Sequence, residues 1–312
     1  MKDKRTLTFT IENSIETTVG EWLDTHQFPR KTMKDLFSAK GVRLDGQICT
    51  AKTRLSQGMV LEVMPLKERI DHDPIEMPLV IAYEDEDILI VDKPSGITMN
   101  SKGQVSLANG VAHYFKVQNI YGKVRFLNRL DRDTAGLVIV AKHGLAQHFY
   151  QLQMDDNRLE KWYRATVQGR LEQPHEVLEV AIHKSADGIH QEIHPEGVMT
   201  KTEYEVLHYD AAQDTTDVRI RLWTGKTHQI RVTMAHIGHP LAHDPLYADE
   251  GVLKRKQSPC GIDDAECHKG LQQEVINTAK GQVKDIDKTF ALRAYRLVYY
   301  HMRTGAQIII EI

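Results

Sequence analysis

The sequence predicts an α+β fold, on three observations. Strand-like and helix-like patterns occur in mixed order, without strict βαβ alternation. Two stretches alternate with a period of two, as half-buried strands do. In one, Tyr163, Ala165 and Val167 alternate with Arg164, Thr166 and Gln168; in the other, Val218, Ile220 and Leu222 alternate with Arg219, Arg221 and Trp223. Two strand pairs are joined by short polar turns: VIAY and ILIV around EDED, and FALRAYRLVYYH and AQIIIEI around MRTG.

Taken in order, residues 1–66 read as a small, separate α/β module. It has a helical pattern near Val19 to Leu23, a basic helix around Arg30 to Lys40, and short strands at Val42 to Leu44 and Val60 to Val63. KERIDHDPIEMP carries charge, two prolines and no apolar period, which places a linker at 67–78. A second domain is expected over 79–312. Its first hairpin ends at DKPSG, a stop followed by a turn. Leu107, Val111 and Phe115 have helical spacing, and GLVIVAKH reads as a buried strand. In THQIRVTMAHIGHP the apolar positions Ile230, Met234 and Ile237 predict a helix with Thr227 as N-cap, closed by Gly238 and Pro240. Residues 249–288 lack a period and read as a long insertion.

With 312 residues, 41% hydrophobic and 27% charged, the chain can bury one large core and a small one. No segment reaches the roughly 18 unbroken apolar residues of a membrane span, and MKDKRTLTFTIEN has no apolar signal region. The expectation is a soluble, cytoplasmic protein. Three scattered cysteines, Cys49, Cys260 and Cys267, do not make a disulfide framework. A net charge of -3 and a pI near 6.6 give no overall footprint for a polyanionic partner, so any such contact must rest on local patches. One patch stands out: Arg30, Lys31, Lys34, Lys40, Arg43, Lys52 and Arg54 crowd into twenty-five positions. They suit several phosphates, and equally an ordinary solvated face.

The segment FLNRLDRDTAGLVIVAK puts a doubly charged turn directly before a buried strand, presenting Asp131 at the strand entrance. Arg129 and Arg132 flank it, and guanidinium groups hold a neighbouring carboxylate ionised, as a nucleophile must be. A purely structural ion pair accounts for the same residues. In TGKTHQIR, Lys226, His228 and Arg231 gather at a helix start, a geometry that attracts anions; alternatively Arg231 pairs with an acidic surface residue. Tyr163, by periodicity, is a core tyrosine. His236 and His239, or Cys260 with Cys267 and His268, do not have the spacing of a four-ligand zinc site. Phosphate-binding loops of the GxxxxGK[ST] type, dinucleotide turns and Gly-x-Ser-x-Gly elbows are absent. Asp131 and Asp133, two apart, face opposite ways in extended chain, which argues against a paired-carboxylate hydrolase.

Four of these segments together resemble the RluA-type pseudouridine synthase family, whose pattern runs approximately HRLDxxTSGL, KxYxAxVxG, GRTHQIRVH and GHPxxGDxxYG. The corresponding stretches are NRLDRDTAGL, KWYRATVQG, GKTHQIRVT and GHPLAHDPLYA, in the same order. With DKPSGI and the C-terminal hairpin, the resemblance covers about residues 79–312 apart from the insertion. It implies a mixed, largely antiparallel sheet with flanking helices. By matching position it also implies a catalytic aspartate at Asp131, an active-site tyrosine at Tyr163 and, at Arg231, the arginine that pairs with the aspartate. Residues 16–63 resemble the αL RNA-binding module of a small-subunit ribosomal protein, through PRKTMKDLF, GVRLDGQ and LSQGMVLEV. Five positions depart from the pattern: Asn128 for His, Ala135 for Ser, Lys226 for Arg, Thr233 for His, and His243 where Gly would allow positive φ.

The resemblance thus implies an isomerase that turns uridine into pseudouridine in structured RNA, without cofactor or metal. Ribosomal RNA is the expected partner and transfer RNA the second choice, with no membrane and a monomeric chain. Asp131 would attack the anomeric carbon or abstract a sugar proton; the sequence leaves both routes open. Arg129, Arg132, Lys226 and His228, with Arg30, Lys31, Lys34 and Arg43 of the N-terminal module, are the expected RNA contacts. Two rivals remain: a noncatalytic RNA-binding or ribosome-assembly protein on the same fold, and a hydrolytic glycosidase, which needs a positioned water and usually a second carboxylate.

Overall fold

The structure is a computed structural model that describes residues 4–12, 17–101, 103–248 and 291–312; the expected insertion at 249–288 lies outside the described residues. The chain divides into two compact units. One comprises Met1–Arg164, Arg219–Gly225 and Leu292–Ile312; the other comprises Ala165–Val218 and Lys226–Ala291. The fold is α+β with mostly antiparallel strand pairing and few helices, as the sequence predicts.

The first unit opens with a four-stranded sheet of β1 (Leu7–Thr10), β2 (Val42–Leu44), β3 (Gln47–Ile48) and β4 (Val60–Val63), ordered β1-β4-β2-β3. Helices α1 (Val19–Thr25) and α2 (Arg30–Ser38) accompany it. α1 starts in a reciprocal cap: the Glu21 N–H donates to the Thr18 hydroxyl at 3.3 Å, and the Thr18 N–H donates to the Glu21 carboxylate at 2.8 Å. Leu7, Val19, Leu23, Leu36, Val42, Leu61 and Val63 form the core, which Leu145 from later in the chain completes.

Residues 64–79 contain no helix or strand. They are nonetheless tied down: Asp71 accepts the Val124 N–H at 2.9 Å, Glu68 pairs with Arg125 at 2.6 Å, and the Asp73 carbonyl accepts the Asn109 side chain at 2.9 Å.

The antiparallel hairpin of β5 (Val80–Glu84) and β6 (Ile88–Lys93) follows, its turn closed by the Asp85 carboxylate accepting the N–H groups of Asp87 and Ile88 at 2.7 and 2.8 Å. Ile88 to Val91 are fully buried, so β6 reads as a continuous apolar run because it is inside the sheet and covered on both faces. Next come α3 (Leu107–Val117), the short β7 (Arg125–Phe126), β8 (Ala135–Ala141) and α4 (Gly144–Asp155). Then β9 (Glu160–Gln168) runs across the boundary between the units, and β14 (Leu292–Tyr300) with β15 (Gln307–Glu311) ends the chain. In this part of the sheet the order is β9-β14-β8-β6-β5, with β7 beside β8 and β15 beside β14. β8 runs antiparallel to β6 but parallel to β14, through Arg293↔Ala135 and Ala294↔Gly136.

No expectation covered α4. His143 caps it by accepting the Ala146 N–H at Nδ1, 3.1 Å, which leaves Nε2 to donate to buried Asp87 at 2.9 Å. Arg303 forks onto the same carboxylate at 2.6 and 2.7 Å. Burial alone would raise the Asp87 pKa, but the bonds from His143 and Arg303 hold it down at about 2.

In the second unit, β10 (His175–Lys184), β11 (Gln191–Ile193), β12 (Val198–Asp210) and β13 (Thr215–Leu222), whose last residues belong to the first unit, are ordered β11-β10-β12-β13. α5 (Gln229–His236) is the predicted helix with a corrected start. Thr227 is not the N-cap: the cap is His228, left-handed at φ 55 and without a side-chain cap bond. The chain first turns through Lys226 to Gln229, whose N–H reaches the Lys226 carbonyl at 3.2 Å, so the helix begins one residue later than Thr227 would start it. Gly238, at φ 86, ends it as expected.

Gly136 decides how β14 reaches β8. Its φ is +120, and a β-carbon there would lie 2.1 Å from the Ala294 carbonyl oxygen and 2.6 Å from the Ala294 nitrogen. Gly136→Ala should therefore cost at least about 2 kcal/mol of stability, from overpacking plus positive-φ strain. Urea unfolding measures it.

Candidate active site

The segment 127–134 lies between β7 and β8 and is anchored at its start. The Asn128 side chain donates to the Leu137 carbonyl at 3.0 Å and accepts the Ile139 N–H at 2.8 Å, standing in for a strand backbone. At its far end the Thr134 N–H closes a turn onto the Asp131 carbonyl at 3.2 Å. The DKPSG loop clamps the middle. The Gly96 N–H donates to the Arg132 carbonyl at 2.9 Å, and the Ser95 hydroxyl to the Asp133 carbonyl at 2.7 Å. Lys93, at 0% exposure, donates from one ammonium to the carbonyls of Pro94, Ile97 and Arg132 at 3.0, 2.9 and 2.8 Å. Burial pushes its pKa down to about 8, against the pull of the Asp133 and Asp131 carboxylates. The sequence signal for Lys93 is a lysine that ends a strand opening with four apolar residues.

Asp131 is half-buried at the head of β8. Tyr163 is buried on β9, and burial followed by the charge of Asp131 drives its phenol pKa far above the usual range. The two groups therefore feel each other electrostatically, and Tyr163 is a neutral phenol. Of the flanking guanidinium groups, Arg132 forks onto Asp133 with both contacts at 3.0 Å, while Arg129 is exposed and has no hydrogen bond or ion pair among the described residues.

In the second unit, Arg231 is buried and forks onto buried Asp244, Nε to Oδ2 at 2.8 Å and Nη2 to Oδ1 at 2.6 Å. The same carboxylate accepts the Leu246 N–H at 2.9 Å. Fully buried Tyr247 lies under the guanidinium at 5.2 Å, and its hydroxyl bonds His228 Nδ1 at 2.8 Å and accepts the Gln191 N–H at 2.8 Å. Asp244 and Tyr247 were not singled out from the sequence, although both stand in GHPLAHDPLYA. His243, where the pattern has Gly, keeps a positive φ of 61 and is exposed, which gives its side chain room. Lys226 is exposed; its N–H is held by Gln229 at 3.0 Å.

The family profile for RNA pseudouridylate synthase matches residues 87–236. The chain is 32% identical over 282 residues to an uncharacterized RNA pseudouridine synthase, YjbO, of Bacillus subtilis, an alignment spanning 85% of this chain and 99% of that protein. It is 30% identical over 306 residues to the ribosomal large subunit pseudouridine synthase D of Escherichia coli, spanning 94% of this chain and 87% of that one. The chain belongs to the RNA pseudouridine synthase family.

The fold agrees with that membership. The human RNA pseudouridylate synthase domain containing 1 superposes with a TM-score of 0.54 at 21% identity, over 77% of this chain and 86% of that one. For this pseudouridine synthase, no helix among the described residues is long and apolar enough to cross a membrane, and no group of three or more His, Cys, Asp or Glu among them could hold a metal ion. Arg30, Lys31 and Lys34 are exposed on α2, at spacings that share a helix face. Arg43 is half-buried on β2, and its Nε has no hydrogen-bond partner among the described residues.

Two predictions follow from the buried charges. Lys93 is an ammonium below pH of about 8 and loses its proton above it, so turnover should fall on the alkaline side as its three carbonyl contacts weaken. A pH–rate profile at saturating RNA should show that limb in the wild type, and Lys93→Met should be slow at every pH. Arg231→Met leaves the Asp244 carboxylate buried and uncompensated, and should cost about 3–5 kcal/mol in thermal or urea unfolding. Adding Asp244→Asn should restore part of the loss.

Proposed function

We propose that this pseudouridine synthase isomerises uridine in large-subunit ribosomal RNA through Asp131, with Tyr163 and Arg231 completing the catalytic set. The observation that carries the reading is a carboxylate presented at a strand entrance on a clamped loop, beside a buried neutral tyrosine. Supporting the RNA assignment are the likeness to the Escherichia coli ribosomal large subunit enzyme, the cationic side chains of Arg30, Lys31, Lys34, Arg43, Arg129, Arg132 and Lys226, and the imidazole of His228. Residues 1–66 serve as the RNA-binding module, 67–78 as the linker and 79–312 as the catalytic part, in a monomer working in the cytoplasm.

The reaction conserves every atom of the nucleotide, so it calls for neither a redox cofactor nor a consumed co-reactant. The uridine is extruded from its helix into the pocket at a cost of a few kcal/mol, which phosphate contacts offset. Asp131 then attacks the anomeric carbon or removes a sugar proton as the C1′–N1 bond breaks. Tyr163 stacks against the freed uracil and keeps it from water while the ring turns over. When carbon 5 bonds to C1′, any ester to Asp131 opens and the carboxylate is released; the carbon 5 proton is lost after that, and Tyr163 takes part in its removal. Arg231 is assigned by its place in GKTHQIRVT.

Pseudouridine mapping of total RNA from cells with and without the gene tests the reading. A ribosomal RNA site should vanish on deletion, return with the wild-type gene and stay absent with Asp131→Asn, whose folding and RNA affinity should be nearly unchanged. No difference at any uridine would leave a noncatalytic RNA-binding protein.

A further inference from the structure

Lys161 is a buried charge with nothing to neutralise it. It lies on β9 two residues before Tyr163, so strand alternation puts both on the same face, while Trp162 and Arg164 point the other way. The residue is 8% exposed, its Nζ keeps a small solvent-accessible edge, and among the described residues the ammonium has no hydrogen bond and no ion pair. A β-carbon on Gly225, the glycine of TGKTHQIR, would be 3.7 Å from its Nζ. Desolvation alone acts on it, lowering its pKa.

A buried ammonium without a partner is costly, and packing gives no reason to keep one. Lys93 shows the contrast, since its ammonium, on a residue 0% exposed, is met by three carbonyls. A cation held largely out of water on the strand face of the reacting groups acts on negative charge that develops there. Breaking the C1′–N1 bond of uridine creates such charge: the bonding pair leaves with the base and is shared by N1, O2 and O4, while C1′ is taken up by Asp131 or becomes part of a glycal. Once carbon 5 bonds to C1′, loss of the carbon 5 proton and protonation of N1 restore a neutral ring. No proton of the lysine is consumed.

We propose that Lys161 is a catalytic residue whose ammonium hydrogen-bonds a carbonyl oxygen of the target uracil and stabilises the base as it departs as an anion. A phosphate ligand fits the position less well. The target's phosphates carry their charge throughout and belong at a hydrated pocket mouth, whereas Lys161 shares the buried strand face of Tyr163. The proposal rests on Asp131 and Tyr163 being the site of the reaction.

The test uses the full-length protein and RNA from a strain lacking the gene, labelled with [5-³H]uridine, so that tritium release reports loss of the carbon 5 proton. Lys161→Met should slow the single-turnover rate at saturating enzyme by on the order of 100-fold or more, with RNA affinity in a filter-binding assay within about twofold of wild type. Lys161→Arg should recover part of the rate. Lys161→Met should also melt at a higher temperature than the wild type, because it relieves an unpaired buried charge; a lysine kept for packing would give the opposite shift. Weakened RNA binding with an unchanged saturated rate would overturn the proposal in favour of a phosphate contact. Unchanged rate and affinity would make Lys161 a bystander. Asp131→Asn is run alongside: if it is inactive while Lys161→Met turns over normally, only the present inference fails, and if Asp131→Asn remains active, the site assignment fails. Should Lys161→Met not fold, Lys161→Arg and Lys161→Gln carry the same comparison.

Discussion

The buried ammonium of Lys93 is the constraint on which the site depends. One cation ends β6, satisfies carbonyls within its own turn and reaches across to the carbonyl of Arg132, the residue after Asp131. Carbonyl oxygens that converge on one point repel each other, and only a charged donor with three protons can gather them. The ammonium thus converts two loops distant in sequence into one rigid support. The bonds from Gly96 and Ser95 then fix the register of the turn that carries Asp131. A reaction that must not release its base to water needs this rigidity, because a misplaced carboxylate loses the advantage of proximity.

The charged groups fall into two kinds. Asp87 with His143 and Arg303, and Arg231 with Asp244, are buried carboxylates each met by a guanidinium at hydrogen-bond distance. Such groups hold structure, because their charges are already spent on one another. Asp131 and Tyr163 are different, since the charge of Asp131 adds to burial in keeping the phenol protonated. Arg231 shows how the two kinds overlap, being a motif residue whose guanidinium is also the anchor for the turn at Asp244 and Leu246.

The N-terminal sheet is fastened to the rest of its unit by specific contacts. Leu145 from α4 enters its core, Arg303 donates to the carbonyls of Arg5 and Thr6 at 3.1 Å each, and His148 bonds the Gln27 carbonyl at 2.6 Å. The exposed cations of α2 are therefore presented from a fixed base. That matters for a chain of net charge -3, in which attraction for a polyanion must come from placement and not from overall charge.

Much of this protein was determined by local sequence. Period-two and helical spacing set the elements: Leu107, Val111 and Phe115 lie on the buried side of α3, and Tyr163, Ala165 and Val167 on the buried face of β9. The ordered motifs named the family and marked Asp131 and Tyr163, because a motif preserves residue types at fixed spacing. Other features came only with the tertiary structure. β3, with two residues, is too short to show a period, and no reading of the sequence marks α4. The carboxylate that Arg132 engages is Asp133, and the partners of Lys93 are backbone carbonyls that have no sequence signature. The standing of Lys161 is of the same kind. A lysine in KWYRATVQG is visible to any reader, but that the residue is buried and its ammonium unpartnered depends on how distant strands cover it. Burial and pairing are properties of what surrounds a residue in space, and spacing along the chain encodes only which way a side chain points.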